Sequence, residues 1–239
     1  MRQNLYRFRL PTRGLAYSSD TWAGDLASQL LNYSDRLSSP LPPPLSALQS
    51  DSTRTFTNYQ MMTSPPVLRL NMLLCRVLRA NKILDIGVFT GSSSLAAALA
   101  TKDDSTIFAL EKSKKYIEYA RKYWRQAGVE NKIEVKIGNA GNSLNQLINS
   151  GHEGSFDFIY IDADKSNYPK YFRRGIQLAR TGGILAVDNT LFRGEVLGGN
   201  SENKTVLSIQ TFNEFARDCP EVTVVLLPLS DGLTLAIKN

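Results

Sequence analysis

Short apolar runs alternate with longer amphipathic stretches from Lys82 to the end of the chain. Strand-like runs cover 83–86, 106–110, 133–137, 156–161 and 184–187. Two of them, 156–161 and 184–187, are almost continuously apolar, the mark of parallel strands buried on both faces. Between the runs, 92–100, 114–127, 143–149 and 168–180 carry apolar residues at helical spacing. Such alternation predicts an α/β fold, a doubly wound and mostly parallel sheet with helices on both faces. The order changes at the end. A helix over 205–217 leads into two β-rich runs, 222–227 and 233–237, joined through Leu229-Ser230-Asp231-Gly232. Asp-Gly between β-rich runs signals a hairpin, so the sheet is expected to finish antiparallel.

Upstream, Ser64-Pro65-Pro66 reads as a helix entry, with Ser64 as cap and proline in the first turn. That helix is expected to reach about Arg79, with Val67, Leu70, Leu74, Val77 and Leu78 on its buried side. Residues 20–37 hold Trp22, Leu26 and Leu30 at helical spacing, and the Ser-Pro cluster at 38–44 breaks the pattern before a short helix at Leu45. Residues 20–58 read as a helical appendage to a main domain at 59–239. Residues 1–19 contain Arg2, Arg7, Arg9 and Arg13 and no acid. That composition fits a mitochondrial transit peptide or a basic, disordered N-terminus on a cytoplasmic protein.

Composition narrows the chemistry. The 239 residues suit one domain with a sizeable core. No apolar run is long enough to span a membrane. A net charge of +6 permits an anionic partner, but the basic residues are scattered through helices and favour a solvated face. Cys75 and Cys219 suggest neither a disulfide framework nor a zinc site. His152, the single histidine, sits in a polar Ser-Gly-His-Glu-Gly loop, so chemistry built on a histidine base is disfavoured.

Two strand tips carry acids: Asp162-Ala163-Asp164-Lys165 and Asp188-Asn189. Ligands of a doubly wound sheet bind outside the carboxyl ends of its strands, where Asp162, Asp188 and Asn189 would converge. Three oxygen donors without His or Cys suit a hard divalent cation such as Mg²⁺, Mn²⁺ or Ca²⁺. Helix caps and a turn are the competing reading. A second stretch, Asp85-Ile86-Gly87-Val88-Phe89-Thr90-Gly91-Ser92-Ser93, runs from a strand tip through a glycine loop into a helix. Its glycines are expected to let the backbone turn against a ligand. The spacing is not that of a pyrophosphate loop, and Asp85 opposes phosphate but suits an amine. Glu111 closes the next strand, where an acid binds ribose hydroxyls. An acid for an amine and an acid for a ribose fit S-adenosylmethionine better than NAD.

The stretches starting at Leu84, Phe156 and Gly182, with the closing Leu227-Pro-Leu-Ser-Asp-Gly-Leu-Thr-Leu, resemble the cation-dependent O-methyltransferases. That family includes the caffeoyl-CoA and catechol enzymes, and the chain looks most like the animal catechol O-methyltransferase domain-containing type. The resemblance covers about 59–239 and implies a Rossmann-like class I methyltransferase sheet. It assigns the metal to Asp162, Asp188 and Asn189, and the general base to Lys165. It places Met61, Thr63, Asp85, Gly87, Val88, Ser93, Glu111, Ala140, Asp162, Asp164 and Tyr171 against S-adenosylmethionine. Phe192 takes the place of a tryptophan that stacks on the acceptor in plant caffeoyl-CoA enzymes. Ser64-Pro65-Pro66-Val67 and Ser92 also depart from the usual pattern. The implied activity is methyl transfer to a vicinal-dihydroxy aromatic acceptor by a homodimer. The alternatives are methylation of hydroxyuridine in tRNA, for which nucleic acid is a disfavoured partner, and a non-catalytic cofactor-binding module.

Overall fold

The computed structural model describes residues 21–198 and 202–239. The expected transit peptide therefore lies outside the described residues. Two compact units part between Pro40 and Leu41. In the first, α1 (Thr21–Leu37) is a helix with serine hydroxyls bonded back one turn, Ser34 to Leu30 O and Ser38 to Ser34 O.

The second unit holds a seven-stranded sheet. The strands are β1 (Lys82–Ile86), β2 (Thr106–Glu111), β3 (Ile133–Ile137), β4 (Phe156–Ile161), β5 (Ala179–Asp188), β6 (Val222–Leu227) and β7 (Leu233–Lys238). Their order is β3-β2-β1-β4-β5-β7-β6. The first five are parallel, and β7 is antiparallel to both β5 and β6. The α/β expectation and its antiparallel ending are both met. The chain winds outward from β1 in one direction and from β4 in the other, so the switch point lies between β1 and β4.

Helices α2 (Pro43–Thr55), α3 (Pro65–Val77), α4 (Ser92–Ala100) and α5 (Lys114–Gln126) pack on one face. The other face carries α6 (Ala140–Asn149), α7 (Tyr168–Leu178) and α8 (Lys204–Asp218). Strand residues alternate between the two cores, as the two-residue period of a strand requires. Ile83 and Tyr160 face the first core, and Leu84, Ile159 and Ile161 the second. Phe156 and Phe158 share a parity yet enter opposite cores, because the β4–β5 register shifts between them. The odd residue, Asp157, is well used: it accepts the backbone N–H groups of Asn81 and Lys82 and the Arg180 Nε–H.

Several local expectations change. The prolines before Leu45 start a full helix, α2, whose Leu45 and Leu48 are fully buried. Helix α3 buries Val67, Leu68, Asn71, Met72 and Cys75, while Val77 is 73% exposed. The buried stripe of α3 is thus rotated from the predicted one. Ser64 makes no side-chain cap; its hydroxyl lies 2.6 Å from that of Ser230 in the β6–β7 hairpin. Both cysteines are free and buried.

Candidate active site at the switch point of the sheet

The carboxyl ends of β1, β2, β4 and β5 open into a cavity of about 730 Å³. Gly87 brings the first wall close. Its φ is +94°, and a Cβ there would lie 2.2 Å from the carbonyl oxygen of Asp162, so no other residue fits without moving the β4 tip. Asp162 N–H in turn donates to Ile86 O at 2.8 Å. Gly91 has a different purpose from the one its sequence suggests. Its φ is +92°, but a Cβ would strike Ala120 Cβ at 2.5 Å and Trp124 at 3.0 Å. Gly91 therefore admits α5 rather than a ligand, and Trp124 Nε1 donates to its carbonyl at 3.2 Å.

Seven of the residues assigned to a cofactor form the cavity wall: Met61, Gly87, Glu111, Ala140, Asp162, Asp164 and Tyr171. Thr63, Asp85, Val88 and Ser93 are buried and do not line it. Asp85 Oδ2 accepts bonds from Ser93 Oγ (2.7 Å) and Ser94 Oγ (2.5 Å), while Oδ1 has no partner. Burial raises this carboxyl to about 7, against the two serine bonds that lower it. An unpartnered buried carboxylate oxygen is costly unless a donor reaches it. Glu111 braces the loop: Oε2 accepts the Phe89 N–H and Oε1 the Ser113 N–H, both at 2.9 Å. Each oxygen keeps a further lone pair for a hydroxyl. Asp164 accepts Tyr171 Oη–H at 2.6 Å.

At the other end the β4 and β5 tips meet. Lys165 Nζ donates to Asp162 Oδ1 and Asn189 Oδ1, both at 2.7 Å, and to Tyr168 Oη at 2.5 Å. Tyr168 Oη–H in turn donates to the carbonyl of Asp188 at 2.9 Å. Asp188 is 3% exposed. Its Oδ2 accepts Tyr160 Oη–H at 2.5 Å and its Oδ1 the Asn189 N–H at 2.8 Å. Burial and then the charge of Asp162 raise Asp188 to about 7. Phe192 and Arg193 close this end of the wall with Ser230 and Asp231 of the hairpin.

The donor set is oxygen-rich and already holds a cation, the ammonium of Lys165 between Asp162 and Asn189. Among the described residues no group of three or more His, Cys, Asp or Glu is placed for a metal. The set here has two carboxylates and an amide, which suits a hard cation rather than zinc. His152 stands apart, with Nδ1 2.6 Å from Lys82 Nζ at the start of β1. Sequence reasoning missed Tyr160, Tyr168 and Asp231. The two tyrosines look like core residues in an apolar run and an amphipathic helix, and Asp231 looks like a turn residue. Only the pairing of β7 against β5 brings Asp231 to the site.

Comparison with known proteins agrees with this architecture. Residues 36–239 match the family model described as O-methyltransferase. Probable caffeoyl-CoA O-methyltransferase 2 of Dictyostelium discoideum is 38% identical over 212 residues, covering 88% of this chain and 92% of the relative. Catechol O-methyltransferase domain-containing protein 1 of Mus musculus is 40% identical over 190 residues, covering 80% and 69%. Among solved structures, the O-methyltransferase TomG from Streptomyces achromogenes, in complex with SAM, superposes with a TM-score of 0.78 at 28% identity, covering 87% of this chain and 94% of TomG. The O-methyltransferase from Bacillus cereus, in complex with SAH, gives 0.78 at 29% identity, with 87% and 96% covered. With the family model spanning most of the chain and a switch-point cavity framed by the matched strands, this protein belongs to the O-methyltransferase family.

Proposed function

We propose that the protein transfers a methyl group from S-adenosylmethionine to one hydroxyl of a vicinal-dihydroxy aromatic acceptor, with a divalent cation, Mg²⁺ first among candidates, held by Asp162, Asp188 and Asn189. The observation that carries the reading is the Lys165 ammonium, bonded at 2.7 Å to oxygens of both Asp162 and Asn189 beside the buried Asp188. When bound, the cation supplies acidity to a coordinated hydroxyl and fixes its direction.

The chain's own groups do the rest. Glu111 suits the ribose hydroxyls from the cavity wall; Asp85 lies buried outside that wall, and its unpartnered Oδ1 suits the amine of the methionine moiety once the loop opens to admit it. Met61, Thr63, Gly87, Val88, Ser93, Ala140, Asp164 and Tyr171 complete this side, the buried ones by shaping the wall. Phe192 offers its ring to the acceptor. Lys165, once released from Asp162 and Asn189 and after giving its ammonium proton to solvent, is placed as the neutral amine to accept the hydroxyl proton. As that proton leaves, the acceptor oxygen bonds the methyl carbon and the carbon–sulfur bond breaks, giving S-adenosylhomocysteine. The reaction gains from holding oxygen and methyl carbon in line, which positioning alone supplies.

Among the described residues, five carboxylates line the cavity, Glu111, Asp162, Asp164, Asp188 and Asp231, against three cations, Lys112, Lys165 and Arg193. That balance supports a small phenol over tRNA, whose phosphates would be repelled. Val225 and Ile237, half-exposed on one face of the β6–β7 pair, support the homodimer the resemblance implies. Among the described residues no helix is long and apolar enough to cross a membrane. Mitochondrial placement rests on the basic N-terminal residues alone. The test is methyl transfer from labelled S-adenosylmethionine to a panel of catechols and caffeoyl conjugates, with Mg²⁺ and with chelator. The expected result is transfer that chelator abolishes; transfer indifferent to chelator refutes the cation assignment.

A further inference from the structure

Asp231, in the turn between β6 and β7, touches the whole acceptor-side loop. Its backbone carbonyl accepts the N–H groups of Leu191 (2.9 Å) and Phe192 (3.3 Å). Its Oδ1 accepts the Arg193 N–H, and its Oδ2 accepts Asn189 Nδ2–H at 3.3 Å. The loop it holds is conformationally costly. Asn189, Phe192 and Arg193 have φ values of +59°, +42° and +56°. Side-chain-bearing residues keep such values only where their surroundings hold them. More contacts fasten the same loop: Thr190 N–H donates to Gly232 O (3.1 Å), Asn213 Nδ2 to Thr190 O (2.8 Å), and Thr234 Oγ1 to Thr190 Oγ1 (3.1 Å).

An asparagine amide has nearly the same shape either way round, so its hydrogen-bond partners decide which end is oxygen. A carboxylate only accepts. Asp231 therefore selects the NH₂ end of Asn189 and leaves Oδ1 facing Lys165 Nζ beside Asp162 Oδ1. We propose that Asp231 is a positioning residue: it fixes the orientation of the Asn189 amide so that Oδ1 faces the cation site, and it ties the Phe192–Arg193 loop to the same point. The inference rests on the divalent-cation reading above.

The isosteric Asp231→Asn change isolates the effect. Its Oδ1 can still accept the Arg193 N–H, and the backbone bonds to Leu191 and Phe192 are untouched. The new NH₂ group, however, meets the NH₂ group of Asn189, two donors with no acceptor. The Asn189 amide must turn away or flip, and a flipped amide presents NH₂ to the cation.

The experiment is a calorimetric titration of the full chain with Mn²⁺, in the presence of saturating S-adenosylhomocysteine, at low and at high salt. Asp231→Asn is expected to bind Mn²⁺ about 10–100-fold more weakly, the usual loss when the partner of a metal ligand is removed. The loss is expected to persist in high salt, which screens the through-space effect of the missing charge. Affinity for S-adenosylhomocysteine should stay unchanged. The paired swap Asn189→Asp/Asp231→Asn reverses donor and acceptor across the contact and is expected to recover most of the Mn²⁺ affinity. Unchanged Mn²⁺ affinity in Asp231→Asn, a loss that vanishes in high salt, or no recovery in the swap overturns the inference. An unaltered protein that binds no Mn²⁺ overturns the cation reading itself, and this inference with it.

Discussion

Lys165→Met separates the two roles proposed for this side chain, occupant of the cation's place and proton acceptor. The ammonium makes three short bonds, two of them to Asp162 and Asn189 oxygens that a divalent cation would need. Both members of the Lys165–Asp162 pair are largely shielded, with side chains 16% and 13% exposed. A hydrogen bond to a charged group contributes a net of roughly 1.5–3 kcal/mol. Removing this competitor should therefore tighten Mg²⁺ binding by about 10–100-fold, at about 1.4 kcal/mol per tenfold. The same change deletes the proposed proton acceptor, and general-base catalysis contributes about 10²–10⁴-fold, so methyl transfer should slow by that factor. Without cation the variant leaves Asp162 unpaired. Breaking a buried pair in this way costs on the order of 3–5 kcal/mol of stability, and Mg²⁺ should restore it. Calorimetry with Mg²⁺, melting curves with and without Mg²⁺, and single-turnover transfer from labelled S-adenosylmethionine read the three effects. Binding and rate should move in opposite directions. Mg²⁺ affinity that is unchanged or weaker would refute the view that the ammonium occupies the cation's place. A rate within tenfold of the parent would refute the base.

Other perturbations test other parts of the structure. Gly91→Ala forces a Cβ to 2.5 Å from Ala120 at a φ of +92°. Strain and overpacking together should cost roughly 2–4 kcal/mol, seen as a melting temperature lower by about 5–15 °C. For Asp85, the folded protein holds its proton up to about pH 7 where the unfolded chain loses it near 3.8. Its stabilising effect is complete below the unfolded value and is lost as pH rises through the folded one. Ligand-free protein should thus lose stability between these pH values, by on the order of 4 kcal/mol from this group, and Asp85→Asn should flatten that slope in urea unfolding. Phe192→Ala should raise the KM for an aromatic acceptor by about 2–10-fold, the value of one ring contact, while the KM for S-adenosylmethionine holds.

Periodicity alone made the sheet readable. Continuous apolar runs at 156–161 and 184–187 can only be satisfied between two layers of helices, and the Asp-Gly turn can only reverse the chain. The acids at the strand tips were readable for the same reason, because parallel strands all deliver their carboxyl ends to one edge. Asp162, Asp188 and Asn189 therefore had to come near one another. Local sequence did not reveal what each group faces. Gly91 has the sequence pattern of a ligand-facing glycine, but the docking of α5 with Trp124 is what demands it. Val77 fits the predicted apolar stripe of α3, yet the stripe is rotated because Asn71 and Met72 take the inward places. Ser64 has the composition of a cap but meets Ser230 across the chain. Tyr160, Tyr168 and Asp231 reach the site through contacts 28, 20 and 42 residues away in sequence. Local pattern records which face of an element is apolar, since every residue on that face gains from the same burial. Partners so distant in sequence meet only because several elements pack at once, and that packing is a property of the assembled core.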